Sequence, residues 1–264
     1  MAEHTGELAV VTGASTGIGY ELAKIAATDG YDLVICADEA KIEEAGRKLA
    51  QLGTKVEVVQ ADLGTEHGVT VLWEKIADRK VDVLMANAGR GLGHAFLDQD
   101  FEEAKRVVDT NVTGTISLVH KVGRQMRTRD AGRILIVGSI AGFIPGAFQA
   151  VYNGTKAFLD SFSEALSNEL KETNVTVTCL EPGPTDTEFF ARGELMDSSV
   201  GQDDSKDDPA MVARTGYDAM QKGTRQVASG FMSKVQATFA GIIPDSVLAQ
   251  MHRKMAEPGT AENT

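Results

Sequence analysis

The sequence LAVVTGASTGIG, which runs from Leu8 to Gly19, decides the fold. Its apolar half predicts a short buried strand, and the glycines that follow predict a tight turn. Apolar residues then recur at helical spacing, at Ile18, Leu22 and Ile25, so the turn opens directly into a helix. A helix N-terminus carries free N–H groups and partial positive charge, and glycine lets a ligand approach the backbone. This stretch therefore predicts a strand-turn-helix unit that can hold a diphosphate.

The same unit recurs along the chain. Further strands are predicted at 33–36, 56–59, 81–85, 134–137 and 175–180, with a weak one at 225–229. Helices are predicted at 39–52, 66–77, 101–127 and 151–170. Repeated strand-helix units imply a parallel sheet whose strands are buried on both faces. The predicted fold class is α/β, a Rossmann-like doubly wound parallel sheet of about seven strands in the order 3-2-1-4-5-6-7, with helices on both faces.

Length and composition predict a single dinucleotide-binding catalytic domain over residues 1–264. The stretch 187–208 has few apolar residues and an acidic cluster, so we expect a substrate lid over 187–222, although a solvated surface loop has the same composition. Apolar residues at helical spacing predict a C-terminal helical extension over 231–256, suited to packing or an oligomer contact. The tail from Pro258 to Thr264 is expected to fray.

Composition disfavours several classes of partner. The formal net charge of −12 comes without a basic cluster, which argues against nucleic-acid binding. No apolar stretch is long enough to span a bilayer and no secretory h-region precedes the first strand, so we expect a cytoplasmic protein that does not bind membranes. Cys36 and Cys179 lie in apolar, strand-like runs and are expected to be buried thiols. No metal site is predicted, and a small-molecule substrate fits this composition better.

An acidic residue follows the second predicted strand. Asp38 lies about twenty residues beyond Gly19, where a carboxylate accepts hydrogen bonds from an adenosine ribose and repels a 2′-phosphate. Neither Ser15 nor Thr16 supplies a positive charge, and Arg47 is expected on the outer face of the next helix. The cofactor NAD(H) is therefore favoured over NADP(H), although an acidic residue at this position can also be a simple N-cap.

Tyr152 and Lys156 lie four residues apart in a predicted helix, so their side chains leave the same face. Tyrosine is a poor base at neutral pH unless a cation stabilises its phenolate, and Lys156 is placed to do so. Ser139 follows the fifth predicted strand, at the edge where open α/β sheets bind ligands, and its hydroxyl could hold a substrate carbonyl. Acyl transfer by Ser139 is disfavoured because the G-x-S-x-G elbow is absent. Taken alone, the spacing of Tyr152 and Lys156 also fits an exposed helix pair.

The motifs found in order over residues 7–190 closely resemble the short-chain dehydrogenase/reductase family, in its single-domain branch. Its cofactor motif T-G-x-x-x-G-x-G matches Thr12, Gly13, Gly17 and Gly19, with Ser15, Thr16 and Ile18 in the same turn. The family's N-A-G matches Asn87, Ala88 and Gly89, and its adenine-contacting aspartate matches Asp62, followed by Leu63. The segment that meets the nicotinamide matches Pro182, Gly183 and Thr187, with Thr185 where an aliphatic residue is commoner.

The resemblance implies an oxidoreductase whose catalytic tetrad is Asn111, Ser139, Tyr152 and Lys156. Tyr152 would exchange a proton with a carbonyl or secondary alcohol while a hydride passes to or from the nicotinamide. Lys156 would hold the ribose hydroxyls and lower the pKa of Tyr152, Ser139 would orient the substrate oxygen, and Asn111 would hold a water that relays protons. An NADP(H)-dependent carbonyl reductase and a non-catalytic nicotinamide-binding sensor or scaffold stay open as alternatives.

The sequence does not specify the substrate. Apolar residues near the expected site suit a hydrophobic alcohol or ketone but equally suit core packing, namely Phe96, Phe143, Ile144, Phe148, Phe189 and Phe190. His94 is expected to be an ordinary loop histidine. The helices predicted at 101–127 and 151–170 resemble those that pair subunits in this family, which implies a homodimer or homotetramer.

Overall fold

The structure, a computed structural model, describes residues 5–230 and 243–263. One sheet of seven parallel strands has the order β3-β2-β1-β4-β5-β6-β7, which confirms the predicted fold class and strand order. The strands are β1 (Leu8–Thr12), β2 (Asp32–Ala37), β3 (Val56–Gln60), β4 (Val81–Ala86), β5 (Gly132–Val137), β6 (Val175–Glu181) and β7 (Gln226–Ala228). Because the order reverses between β1 and β4, the helices Gly17–Thr28 and Thr115–Thr128, which follow these two strands, lie on opposite faces of the sheet, and a crevice forms at the carboxyl edge.

Helices cover both faces of the sheet. They are α1 (Gly17–Thr28), α2 (Lys41–Ala50), α3 (Glu66–Ile76), α4 (Phe101–Val108), α5 (Thr115–Thr128), α6 (Ala150–Glu169), α7 (Phe189–Arg192), α8 (Ser199–Gln202), α9 (Pro209–Gln221) and α10 (Asp245–Ala256). One core forms between the sheet and α1, α2 and α9, and a second between the sheet and α3, α5 and α6. Among residues 5–230 and 243–263, no helix is long and apolar enough to cross a bilayer.

Apolar periodicity explains both cores. In α1, Leu22, Ile25 and Ala26 are buried at helical spacing, and in α3, Leu72 and Ile76 are buried in the same way. Each fully buried leucine or isoleucine contributes roughly 1.5–3 kcal/mol relative to an exposed one. The strands between the two layers are buried on both faces, which is why their sequences are apolar runs without alternation.

The helix predicted at 101–127 is interrupted by a π-helical segment, Asp109–Gly114, between α4 and α5. Its sequence is made of weak helix formers, and a Cβ on Gly114 would lie 2.1 Å from the Leu63 carbonyl oxygen. The chain thus packs tightly against the loop after β3, and the wider turn accommodates that contact. The prediction of one uninterrupted helix is wrong, and the wider turn places Asn111 in the interior, where it is fully buried.

The expected lid over 187–222 divides into two parts in the structure. Residues 209–221 form α9, a core helix that packs against α1 and buries Val212, Ala213, Tyr217 and Met220. This half cannot lift away without exposing a core, so the lid hypothesis applies only to 187–208. That stretch holds the short helices α7 and α8, and Asp207 near its end forms a bridge with Thr185 just before its start.

The C-terminal extension is described from residue 243 onward, and residues 231–242 of the predicted extension lie outside the described residues. Helix α10 forms as predicted over 245–256. The expectation of a frayed tail is wrong at 259–261, because Gly259 donates its N–H to the Asp197 carbonyl at 2.9 Å and the Ser199 hydroxyl donates to the Thr260 carbonyl at 2.9 Å. These bonds attach the tail to the segment between α7 and α8.

Two methionines on α9 test whether this helix is part of the core. Met220 is fully buried, whereas Met211 is 38% exposed. We expect Met220→Ala to lower the free energy of unfolding by about 2–5 kcal/mol, because it leaves a cavity against α1 and the sheet. The matched change Met211→Ala should shift it by less than about 1 kcal/mol. Chemical denaturation of both variants measures this, and equal losses would contradict the placement of α9.

Candidate active site

One cleft runs along the carboxyl ends of the strands, across the point where the strand order reverses. Nearly all predicted site residues line it, including Ser139, Tyr152, Lys156 and the loop residues Gly13, Ser15, Thr16, Gly17, Ile18, Asp38, Asp62, Leu63, Asn87, Ala88, Gly89, Pro182, Gly183, Thr185 and Thr187. Gly19 and Asn111 are the two exceptions, and both lie buried behind the surface of the cleft.

The glycine turn has no room for side chains. Gly13 and Gly17 have φ values of +64° and +58°, in the left-handed region that favours glycine. A Cβ on Gly13 would lie 2.7 Å from Asn87 Nδ2, and one on Gly17 would lie 2.8 Å from Thr187 Cγ2. A Cβ on Gly19 would lie 2.1 Å from the Gly13 carbonyl oxygen, so Gly19 allows close packing of the turn and does not form the wall of the cleft.

Hydrogen bonds fasten the turn after β1 to the loop after β4. The Thr12 hydroxyl oxygen accepts from the backbone N–H groups of Asn87 and Ala88, both at 3.0 Å. Asn87 Nδ2 in turn donates to the carbonyls of Thr12 and Gly13, at 3.0 and 3.1 Å. Ala86, the last residue of β4, is buried, and the hydrogen bonds between Thr12 and Asn87 form directly after it.

Two carboxylates at the end of β2 have different surroundings. Glu39 Oε1 accepts from the Ser15 hydroxyl at 2.5 Å and pairs with Arg192 Nη2 at 2.7 Å. Asp38 is exposed at the cleft, and within the described part of the chain its carboxylate has neither a hydrogen bond nor an ion pair. Asp38 is thus a free acceptor, whereas Glu39 is neutralised. The exposed Arg47 lies on the outer face of α2, as expected.

Ion pairs join the start of the expected lid to the rim of the cleft near β2. Glu188 pairs with Lys41 at 2.6 Å and also with Arg192, which itself reaches Glu39. We call Glu39, Lys41, Glu188 and Arg192 the clasp. The clasp therefore ties Glu188 and Arg192, in the stretch 187–208, to the residues that follow β2, and Glu39 also bonds to Ser15 of the glycine turn.

Asp62 and Leu63, after β3, lie at the same end of the cleft. Asp62 Oδ1 accepts the Gly64 N–H at 2.9 Å, and its Oδ2 pairs with Arg106 at 3.3 Å. Leu63 is buried, and its carbonyl packs against Gly114 of the π-helical segment.

Tyr152 and Ser139 meet at the other end of the cleft. The Ser139 hydroxyl accepts the Ala141 N–H at 3.1 Å and donates to the Pro182 carbonyl at 3.3 Å, and it lies close enough to the Tyr152 hydroxyl to lower the pKa of that tyrosine. Lys156 is buried beneath them, with Nζ 5.8 Å from the centre of the Tyr152 ring and donating to the Val137 carbonyl at 2.7 Å. These three side chains therefore share one site.

Burial governs protonation at this site. It raises the pKa of Tyr152 to about 12, and the nearby Ser139 hydroxyl opposes this only in part. Burial also lowers the pKa of Lys156 to about 8, against the attraction of the Asp160 carboxylate. The tyrosine hydroxyl is therefore neutral near pH 7 and able to donate a proton. Lys156 does not contribute to the pKa shift of Tyr152 in this structure, so the expected lowering of that pKa by Lys156 is not observed.

A buried acidic cluster lies behind Lys156. Asp160 is one helical turn beyond Lys156, and its Oδ1 accepts a weak hydrogen bond from the Cys179 thiol at 3.5 Å. Burial raises the pKa of Asp160 to about 6, and it raises the pKa of Glu181, which Gln226 contacts, to about 7. Both cysteines are buried free thiols, as predicted. Asp160 is thus the carboxyl group that faces the lysine from within the protein.

Asn111 fixes the backbone beside Lys156. Its Oδ1 accepts the Arg90 N–H at 2.7 Å, and its Nδ2 donates to the Arg90 carbonyl at 2.9 Å and to the Thr155 hydroxyl at 3.0 Å. The side-chain amide is therefore engaged with protein groups and holds the loop after β4 against α6. Its expected role with a water is a prediction that these contacts do not test.

Apolar residues form the outer wall near Tyr152. The Phe189 ring lies 5.1 Å from the Tyr152 ring, and Ile144 and Phe190 also line the cleft. Phe96, Phe143 and Phe148 do not line it, and His94 faces Glu194 at 3.5 Å on the outside. The apolar wall is thus narrower than the sequence suggests.

Sequence reasoning missed several residues of the cleft lining, among them Arg90, His252 and Met255. His252 comes from α10, and its Nδ1 lies 2.8 Å from the Ala147 carbonyl. Burial lowers the pKa of His252, which is therefore neutral near pH 7. Helical spacing in the C-terminal segment predicts a helix but not that it reaches the catalytic end of the cleft.

Comparison with known proteins agrees with this geometry. The family described as short chain dehydrogenase matches residues 7–196. An uncharacterized oxidoreductase of Staphylococcus epidermidis is 31% identical over 190 residues, covering 71% of this chain and 81% of that protein.

Two solved structures share the fold. A short-chain dehydrogenase from Sphingobium yanoikuyae in complex with NADPH has a TM-score of 0.79 and 24% identity, covering 89% of this chain and 93% of that one. A short chain dehydrogenase/reductase from Burkholderia phymatum in complex with NAD has a TM-score of 0.79 and 22% identity, covering 90% and 93%. From its sheet, its glycine turn and the match over 7–196, the chain belongs to the short-chain dehydrogenase/reductase family of oxidoreductases.

Proposed function

We propose that the protein is an NAD(H)-dependent oxidoreductase that acts on a carbonyl or secondary alcohol, with Tyr152 as its general acid and base. The meeting of the Tyr152 and Ser139 hydroxyls above buried Lys156, at the end of a cleft with a glycine turn, carries this proposal. Two hydroxyls beside a cation suit a substrate oxygen that gains or loses a proton.

The cleft fits a dinucleotide. The glycine turn and the N-terminus of α1 offer a cradle that a Cβ on Gly13 or Gly17 would fill. Asp38 and Asp62 would hold the adenosine end, and Lys156, Pro182, Gly183 and Thr187 would face the nicotinamide end. When bound, the nicotinamide supplies or accepts the hydride.

The protein's own residues then handle the proton and the orientation of the substrate. Ser139 would hold the substrate oxygen, and neutral Tyr152 would donate its proton to that oxygen during reduction or take one during oxidation. Lys156 would stabilise the phenolate that Tyr152 becomes after donation. Asn111 keeps the loop beside Lys156 in place, and we propose that it also helps to hold a relay water.

Charge at the end of β2 supports a preference for NAD(H) over NADP(H). The free carboxylate of Asp38 can accept hydrogen bonds from ribose hydroxyls and would repel a 2′-phosphate. Arg192, the nearby cation, is already paired with Glu39 and Glu188.

We also propose that 187–208 acts as a lid held by the clasp, over a substrate with an apolar body. Ile144, Phe189 and Phe190 supply an apolar wall for that body.

Assembly into a homodimer or homotetramer is proposed from exposed apolar groups on α4 and α6. Phe101 is 67% exposed and Phe158 is 42% exposed, and Phe158 stacks on Phe162 at 5.9 Å. Exposed aromatic rings such as those of Phe101 and Phe158 suit a subunit contact better than they suit water.

Removing one hydroxyl tests the catalytic role. Tyr152→Phe should lower kcat for ketone reduction by at least about a hundredfold, because no other group can donate the proton, while the Kd for NADH stays nearly unchanged. Tyr217→Phe, which removes a buried hydroxyl on α9 outside the cleft, is the control and should keep turnover. Retained turnover in Tyr152→Phe would contradict the assignment of Tyr152 as the general acid and base. NADH binding without turnover of any ketone by the unaltered protein would favour the sensor alternative.

The pH dependence of reduction should follow Lys156. Its pKa near 8 means that the cation is present below pH 8 and is lost as pH rises, so kcat should fall above about pH 8. Asp160→Asn removes the charge that favours the cation, and the fall should move to lower pH. Cys179→Ser keeps a hydrogen-bond donor to Asp160 and both charges, and should leave the profile in place. If Asp160→Asn folds and its profile of kcat against pH does not move, the dependence of kcat on the Lys156 charge is refuted.

Cofactor preference is tested by fluorescence titration with NADH and NADPH separately. We expect NADPH to bind at least about tenfold more weakly, because the Asp38 carboxylate repels the 2′-phosphate. Asp38→Asn should lower the ratio of the Kd for NADPH to the Kd for NADH. Asp78→Asn, which changes an exposed aspartate outside the cleft lining, should leave that ratio unchanged. Equal affinities in the unaltered protein would contradict the preference.

A further inference from the structure

Arg90 lies at the catalytic end of the cleft and has no part in the proposed proton transfer. It directly follows Asn87, Ala88 and Gly89, and it is one of the residues that line the cleft. A Cβ on Gly89 would lie 3.7 Å from Lys156 Nζ, so the chain at this point passes directly beside the catalytic lysine. Both backbone polar groups of Arg90 are bound by Asn111, which fixes where its side chain begins.

Within the described part of the chain, three cations line the cleft, and two of them have partners. Lys156 donates to the Val137 carbonyl and faces Asp160, and Arg192 pairs with Glu39 and Glu188. Arg90 has neither an ion pair nor a side-chain hydrogen bond with any residue in 5–230 or 243–263, and its Nη1 is buried. A buried donor without a partner is unfavourable, and a guanidinium cannot lose its charge at neutral pH.

The surroundings of Arg90 suggest what would bind it. The next residue, Gly91, packs under Phe189, since a Cβ there would lie 2.5 Å from the Phe189 ring. Phe189 also contacts Tyr152, so the apolar wall, the catalytic hydroxyl and Arg90 border the same space. A guanidinium fork recognises a carboxylate or phosphate through paired hydrogen bonds.

We propose that Arg90 binds an anionic group, a carboxylate or phosphate, on a substrate with an apolar body and a ketone or hydroxyl. This inference rests on the proposed function, because it names the substrate class of the same cleft. Arg90 is then a determinant of specificity, which selects acidic ketones over neutral ones of the same shape. The reaction itself is unchanged, since Tyr152 still supplies the proton.

The test compares two ketones of equal size. One is oxodecanoate with its ketone next to the terminal methyl, and the other is the oxodecanamide that carries a neutral amide in place of the carboxylate. The enzyme should show a higher kcat/KM for the acid, and Arg90→Gln should lower the ratio of acid to amide by about ten- to a hundredfold. Arg90→Lys should lower the ratio of kcat/KM for the acid to kcat/KM for the amide by less than Arg90→Gln does. Arg127→Gln, which removes an exposed arginine near the opposite edge of the sheet, should keep all of it.

Two results would overturn the proposal. One is an unchanged ratio in Arg90→Gln. The other is a weaker Kd for NADH in Arg90→Gln that lowers kcat/KM equally for both ketones, because Arg90 would then hold the cofactor's phosphates and not the substrate.

A binding measurement separates this inference from the proposed function. Calorimetric titration of the NADH-saturated protein with decanoate and decanamide should show tighter binding of decanoate, lost in Arg90→Gln. Binding of this kind without reduction of any ketone would refute the proposed activity and leave the anion site supported. Reduction of both ketones without any preference for decanoate would refute the anion site alone.

Discussion

The close approach of the ends of β1 and β4 is the constraint on which the rest of the structure depends. Thr12 and Asn87 exchange hydrogen bonds across the point where the strand order reverses. The gap is so small that a Cβ on Gly13 would collide with both Asn87 and Ala88. The glycine turn and the loop after β4 therefore form one rigid corner. The cradle of the cleft, the N-terminus of α1 and the position of Arg90 are all set relative to that corner.

Helix α6 concentrates the chemistry on one buried face. Tyr152, Lys156 and Asp160 follow each other at intervals of four residues, so one helix orients a hydroxyl, a cation and a carboxyl group in line. Burial makes each charged form less favourable, and it moves the pKa of Lys156 down and that of Asp160 up. The two shifts bring both groups toward neutral pH. Glycines at 138 and 142 leave room for the Asp160 carboxylate, since a Cβ at either position would lie 2.0 Å from one of its oxygens.

Features encoded by local sequence could be predicted, and those that depend on distant contacts could not. Apolar runs and the glycine turn determine the strands and part of the cleft lining, because each is set by adjacent residues, whereas the strand order and the other lining residues are predicted from the resemblance of the motifs to a known family. The π-helical segment depends on contact between Gly114 and Leu63, and the core position of α9 depends on α1. His252 reaches the cleft through contact with Ala147, more than a hundred residues earlier in the chain. No sequence motif includes Arg90, and its proposed role in binding an anion is indicated only by the absence of a partner for its side chain in the described structure.

The clasp has a consequence for how the cleft opens. Its ion pairs lie at the surface, where one pair contributes about 0–1 kcal/mol, far less than the buried core beneath α9. Thermal motion can therefore break the clasp without disturbing the sheet. At physiological ionic strength the Debye length is about 8 Å, so dissolved salt weakens the clasp as soon as its groups separate. The seam between residues 187–208 and the rim thus responds to the ionic medium, while the buried face of α6, sealed by packing, does not.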